Sequence, residues 1–286
     1  MSKHYITAAV ALALASAGPA FAKTDPKADL KKFQDYFAKK FPKTPKADFS
    51  NGVYSVNANA RKEWMAIEEF PPYEPNIERG KKLWTKPFAN GKTLASCFKN
   101  GDQLESKGKP GLKQHYPYFD KASGKVRTLE MDINQCLKDN GEKEMGYSKG
   151  AISDVMSYVA FHSRGKKINV VVPDDPKAME AYERGKQHFY AKRGQLNFSC
   201  ADCHVNYAAG LLRADTLSPA LGGAANWPVY RSKWAEVRTL HERYKGCNEM
   251  VRAKGFPLGG EEYNALEYFH TYMNNGLPIS GPSSRK

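Results

Sequence analysis

After its first two dozen residues the sequence has no long apolar run, so nothing later in the chain could cross a membrane as a helix. It is poor in cysteine, with 5 in 286 residues, which excludes a disulfide-dense scaffold. The Cys/His pairs at matched spacing that a structural zinc site needs are also missing. Acidic residues are in deficit, 30 against 44 Lys and Arg, leaving a formal charge of +14. A basic surface attracts small anions or acidic proteins and raises the rate of encounter with them.

The opening "MSKHYITAAVALALASAGPAFAKTDP" has Lys3, an apolar run from Ile6 to Ala17, and the small-residue pattern Ala20-Phe21-Ala22. The run is too short to span a bilayer, and the pattern reads as a secretory signal over residues 1–22. The expected location is therefore periplasmic, an oxidising compartment in which paired cysteines persist. Nucleic acid is a poor partner for an exported chain.

"Cys200-Ala-Asp-Cys203-His204" is C-x-x-C-H, the attachment motif for c-type haem. Two thiols three positions apart can each form a thioether with a haem vinyl group, and the adjoining imidazole of His204 reaches the iron. A redox dithiol is the competing reading of the motif. Upstream, "PKAMEAYERGKQHFYAKRGQLNFS" predicts a helix and a Gly-containing turn. Downstream, "GGEEYNALEYFHTYMNNG" predicts a helix with Leu266, Phe269, Tyr272 and Met273 on one face.

The sequence also repeats itself. "Glu78-Arg79-Gly80-Lys81" returns as "Glu183-Arg184-Gly185-Lys186", and "DVMSYVAFHSRGKKI" (154–168) matches "ALEYFHTYMNNGLPI" (265–279). The second match has an offset of 111, which also pairs Cys136 with Cys247. Cys97 then corresponds to Cys200, with Asn100 where the second cysteine would stand and Gly101 where the histidine would. The expected fold class is mainly α, with two cytochrome c-like domains related by duplication and only the C-terminal one holding haem. The expected segments are an extension over 23–73, a haem-less domain over 74–172 and a haem domain over 173–286. Cys97 and Cys136 most simply form a disulfide in an oxidising compartment; two separate thiols are the alternative.

Cys247 is left over, on the distal side of the expected haem. As sixth ligand it competes with Met250, Met273, His241 and His270, and the repeat favours it. Arg243 precedes it by four residues, one helical turn, and Lys245 is also near. Cations favour the thiolate, and a guanidinium binds oxyanions.

The duplicated halves, "CADCH", "LGGAANWPVYRSKW" and "ERYKGC" together resemble SoxA, the larger subunit of the SoxAX cytochrome complex of bacterial sulfur oxidation. The similarity extends over most of the chain, and "CFKNG" places it with the single-haem forms. That resemblance implies one c-type haem held by Cys200, Cys203 and His204, with Cys247 as second axial ligand and persulfide-bearing sulfur acceptor beside Arg243. It implies L-cysteine S-thiosulfotransferase activity, in which thiosulfate is joined oxidatively to a cysteine of the carrier SoxYZ, with the smaller cytochrome SoxX as partner subunit. The competing readings are a thiosulfate dehydrogenase that makes tetrathionate, a plain electron-transfer cytochrome and a scaffold for the partner haem. The role of residues 23–73 stays open between packing on a domain and contacting the partner.

Overall fold

A computed structural model describes residues 24–108 and 110–285; the expected leader lies outside the described residues. The fold is mainly helical. It opens with α1 (Pro26–Lys40), capped by the Asp25 carboxylate, which accepts from the backbone N–H groups of Lys27 and Ala28. A kinked 3-10 stretch (Lys46–Ser55) leads into α2 (Ala58–Ile67).

Two similar sets of elements follow. The first is α3 (Glu74–Thr85), the hairpin β1 (Tyr118–Asp120) and β2 (Lys125–Arg127), α4 (Leu129–Asp139) and α5 (Ala151–His162). The second begins with α6 (Pro176–Tyr190) and a short ladder of β3 (Leu211–Leu212) and β4 (Asp215–Thr216). It continues through the hairpin β5 (Val229–Arg231) and β6 (Glu236–Arg238), α7 (Leu240–Met250) and α8 (Glu261–Tyr272). A last strand, β7 (Ser283–Arg285), pairs in parallel with β5.

The offset of 111 recurs in the elements. Tyr118 pairs with Arg127 in the first hairpin and Val229 with Arg238 in the second. Thr128 and Thr239 each cap the following helix, their side chains accepting from the N–H three residues on. The repeated "E-R-G-K" has a steric reason as well. A Cβ at Gly80 would sit 2.0 Å from the Asp154 carbonyl oxygen, and one at Gly185 would sit 2.0 Å from that of Ala265. Only glycine lets α3 cross α5, and α6 cross α8, at that range.

The two cores are interlocked. Phe119 and Val126, on the first hairpin, are buried with α6, α7 and α8, while Val237, on the second, is buried with α3, α4 and α5. Val126 and Val237 are themselves 111 residues apart, so the exchange is reciprocal. Ile168 and Val170 also pack with the second set, and a boundary at 172/173 therefore runs through a shared core.

The extension packs on the second set of elements. Phe33 and Phe37 of α1 are buried in its core with Phe49. Gln34 donates to the Asn275 carbonyl at 2.9 Å, and Asp29 accepts from Tyr182 at 3.0 Å and pairs with Lys186 at 2.6 Å. The helix read in "KADLKKFQDYFAKKFP" thus packs on a domain of its own chain.

In the first set, Cys97 and Cys136 are joined by a disulfide with a Cα–Cα distance of 6.0 Å. It closes a loop with a sequence separation of 39, worth about 4 kcal/mol in the chain-entropy picture.

Candidate haem and sulfur site

The site is built on the turn after α6. The Asp202 carboxylate accepts from both the N–H and the hydroxyl of Ser199 at 2.9 Å, which fixes the start of the Cys200–His204 turn. Lys40, at the end of α1, donates to the carbonyls of Val205 (2.8 Å) and Asn206 (2.6 Å) just past His204. The extension thereby clamps the motif from outside.

His204 is oriented through Nδ1, which lies 2.8 Å from the Ser218 carbonyl oxygen. A carbonyl only accepts, so Nδ1 carries the proton and Nε2 keeps its lone pair for a metal. The backbone of the same segment grips the histidine again, Ala220 N–H donating to the His204 carbonyl at 2.8 Å.

These residues line a cavity of about 970 Å³. Its walls include Phe189, Trp227, Val229, Leu240 and Leu266, and Cys200 and Cys203 present free thiols to it. Burial pushes the Cys200 thiol up to about 12, so it stays neutral. A macrocycle-sized apolar cavity, two free thiols and an imidazole with its outer nitrogen available fit a covalently attached haem.

Cys247 and Arg243 lie one turn apart on α7, and both line the cavity. Burial would push the Cys247 thiol up, but the Arg243 guanidinium and the adjacent His204 imidazole outweigh it and bring it down to about 7. His204 and Cys247 therefore face each other. The other sixth-ligand candidates do not. Met273 is buried in the core and is not part of the cavity wall. Met250 sits at the rim, 47% exposed. His270 has both ring nitrogens engaged, by Tyr244 and by the Ala220 carbonyl. His241 is turned away and paired with Glu267 at 3.0 Å. Lys245 points along the outside of α7, 3.9 Å from Glu249, and is not in the cavity.

Three cations that the sequence reading did not single out join Arg243: Arg231, Lys233 and Arg285. Burial and the neighbouring cations hold all three below their ordinary values, Arg285 at about 10. Arg285 donates to the Ser218 hydroxyl at 3.1 Å and lies over the Tyr54 ring at 5.0 Å. Strand β7 brings it alongside Arg231 from the far end of the chain. The α2 helix forms another part of the wall through Asn59, Ala60, Glu63, Trp64 and Ile67, with Trp64 stacked on Tyr54 at 4.9 Å.

A mainly helical fold with this dithiol–histidine cradle defines the chain as a c-type cytochrome. Comparison with known proteins narrows the class. A family model for the SoxA/TsdA cytochrome c domain matches residues 79–168, the set of elements without the C-x-x-C-H motif. The SoxA subunit of L-cysteine S-thiosulfotransferase from Allochromatium vinosum is 48% identical over 100% of both chains. That from Chlorobaculum thiosulfatiphilum is 52% identical over 91% of this chain and 87% of its own. Among solved structures, SoxXA from P. pantotrophus matches with a TM-score of 0.70 at 30% identity, covering 79% of this chain and 84% of that one. The chain belongs to the SoxA family.

Proposed function

We propose that this protein is the haem subunit of an exported, periplasmic L-cysteine S-thiosulfotransferase that acts with a SoxX cytochrome. Its substrates are thiosulfate and a cysteine of the carrier SoxYZ. The observation that carries this reading is a sulfur, Cys247, facing the imidazole of a haem cradle in a cavity also lined by Arg231, Lys233, Arg243 and Arg285. The two halves arose by duplication, with domains over 74–172 and 173–286. The chain holds one haem, on Cys200, Cys203 and His204 with Cys247 as second axial ligand. The first half, with Asn100 and Gly101 in place of the second cysteine and the histidine, holds none.

In the reaction, the sulfane sulfur of thiosulfate becomes bonded to the carrier cysteine sulfur. The thiol proton leaves, and two electrons are given up. A bound c-type haem supplies the acceptor for those electrons, taken one at a time. Cys247, carrying a persulfide sulfur, first bonds the sulfane sulfur as the two electrons leave, and the deprotonated carrier thiol then attacks that sulfane sulfur and releases the Cys247 persulfide. Arg243, with Arg231, Lys233 and Arg285, holds the sulfonate oxygens in a cavity where water screens them poorly.

Arg243→Ala tests the reading. Loss of one charged hydrogen-bonding partner is worth roughly 1.5–3 kcal/mol, so the KM for thiosulfate should rise about ten- to hundredfold while the haem absorption spectrum persists. Unchanged rates at limiting thiosulfate would remove the anion-binding role. Tetrathionate formed without the carrier would instead identify a thiosulfate dehydrogenase.

A further inference from the structure

In the cavity wall, the buried Tyr244 and His270 form a polar pair with no counterpart in the first half. The Tyr244 hydroxyl lies 2.9 Å from His270 Nδ1, and His270 Nε2 lies 3.2 Å from the Ala220 carbonyl oxygen. That carbonyl only accepts, so Nε2 carries the proton and Nδ1 accepts from the tyrosine. Burial pulls the His270 imidazolium down to about 4, and the ring stays neutral at ordinary pH. Asn274 reinforces the arrangement, its Nδ2 donating to the His270 carbonyl at 2.6 Å and to the Ala220 oxygen at 3.4 Å.

The same hydrogen-bonded chain touches the segments that carry both axial ligands. At one end, Ala220 N–H donates to the His204 carbonyl at 2.8 Å, and two residues earlier Ser218 fixes the His204 ring at 2.8 Å. At the other end, Tyr244 sits on α7 three residues before Cys247, on the same face. The backbone at Gly223 comes so close to the His270 ring that a Cβ there would be 2.8 Å from Nε2. The second glycine of "LGG" thus makes room for this histidine.

The first half shows what packing alone requires. Tyr244 and His270 fall, at the offset of 111, on Ile133 and Val159, each 0% exposed. An aliphatic pair fills the same place between α4 and α5. Putting a hydroxyl and an imidazole there instead means desolvating both, a cost offset only when the hydrogen bonds are made. We infer that Tyr244 and His270 are positioning residues that set the separation and orientation of His204 and Cys247 across the haem. This rests on the reading of Cys247 as second axial ligand.

The test uses the haem-loaded complex with its partner subunit. Tyr244→Phe removes only the hydroxyl, and the double variant Tyr244→Ile/His270→Val copies the first half. The low-spin EPR spectrum of the oxidised protein and the haem midpoint potential are recorded beside turnover. Partners that orient metal ligands typically account for 10–100-fold in activity or metal affinity. Tyr244→Phe is therefore expected to shift or split the low-spin signal, move the midpoint and lower kcat about tenfold, with covalent haem retained and the melting point lowered by the loss of one buried hydrogen bond. The double variant should fold with covalent haem and show larger changes of the same kind. Wild-type-like spectra and potential in Tyr244→Phe would overturn the inference, whatever the stability or yield of the double variant. A wild type without a histidine–thiolate low-spin signature would remove the underlying reading instead, and the two failures are distinguishable.

Discussion

In the first half, Cys136 on α4 is tied to Cys97 by a disulfide; in the second, Cys247 at the matching place on α7 faces His204 with its thiol free. Four residues earlier the contrast is one of sign. Asp132 is paired with Arg127 at 2.5 Å and accepts from the hydroxyls of Tyr116 and Tyr118. Its counterpart Arg243 has no ion pair among the described residues and looks into the cavity. The two halves share helix crossings, hairpin register and capping threonines. They differ on the inner face of one helix, where the first half is internally neutralised and the second keeps an uncommitted cation beside a sulfur. A common frame thus carries a disulfide in one half and a free thiol beside a cation in the other.

Exchanging the roles of the equivalent cysteines gives the largest expected effect. Cys247→Ala should reduce sulfur transfer to background and change the low-spin EPR spectrum. Cys136→Ala should leave the spectrum alone and lower stability by about 4 kcal/mol, read in urea unfolding, since it opens the loop behind the disulfide. An unchanged EPR spectrum in Cys247→Ala would break the comparison.

Next come the paired glycines. Gly80→Ala and Gly185→Ala each drive a methyl into a backbone carbonyl 2.0 Å away, and each should cost roughly 1–3 kcal/mol in thermal unfolding. Similar losses in both would confirm a common helix crossing; a loss in one alone would argue against it.

Acid gives the sharpest asymmetry. His188 is held down at about 3 by burial and Arg193, and His270 at about 4 by burial. Both bind fewer protons folded than unfolded. Their contribution is therefore full above the unfolded value of 6.5 and lost as pH falls toward about 3 for His188 and about 4 for His270, at up to about 1.4 kcal/mol per pH unit for each. Their positions in the first half are Leu83 and Val159, which do not titrate. Amide exchange at pH 5 should accelerate in α6 and α8 before it does in α3 and α5.

Much of this was legible in the chain because it rests on local spacing. C-x-x-C-H, the Arg243–Cys247 turn and the repeated "E-R-G-K" each depend on residues close in sequence, and the offset of 111 paired Cys136 with Cys247. Arg231, Lys233 and Arg285 were not found, since nothing in "YRSKW" or the terminal "PSSRK" signals that β5 and β7 lie side by side. The α2 wall was equally hidden. Its helix buries no residue of its own, so no apolar stripe marks which face meets the cavity. The exchange of hairpins is a tertiary choice between two equivalent partners, and periodicity cannot distinguish Val126 packing at home from Val126 packing across.

That exchange bears on how such a chain can evolve. A lobe without the C-x-x-C-H motif would ordinarily be free to shrink or be deleted. Here, removing it would also take Phe119 and Val126 out of the neighbouring core and leave Val237 without cover. The two sets of elements are mutual lodgers, and selection on the one that carries the motif holds the other in place.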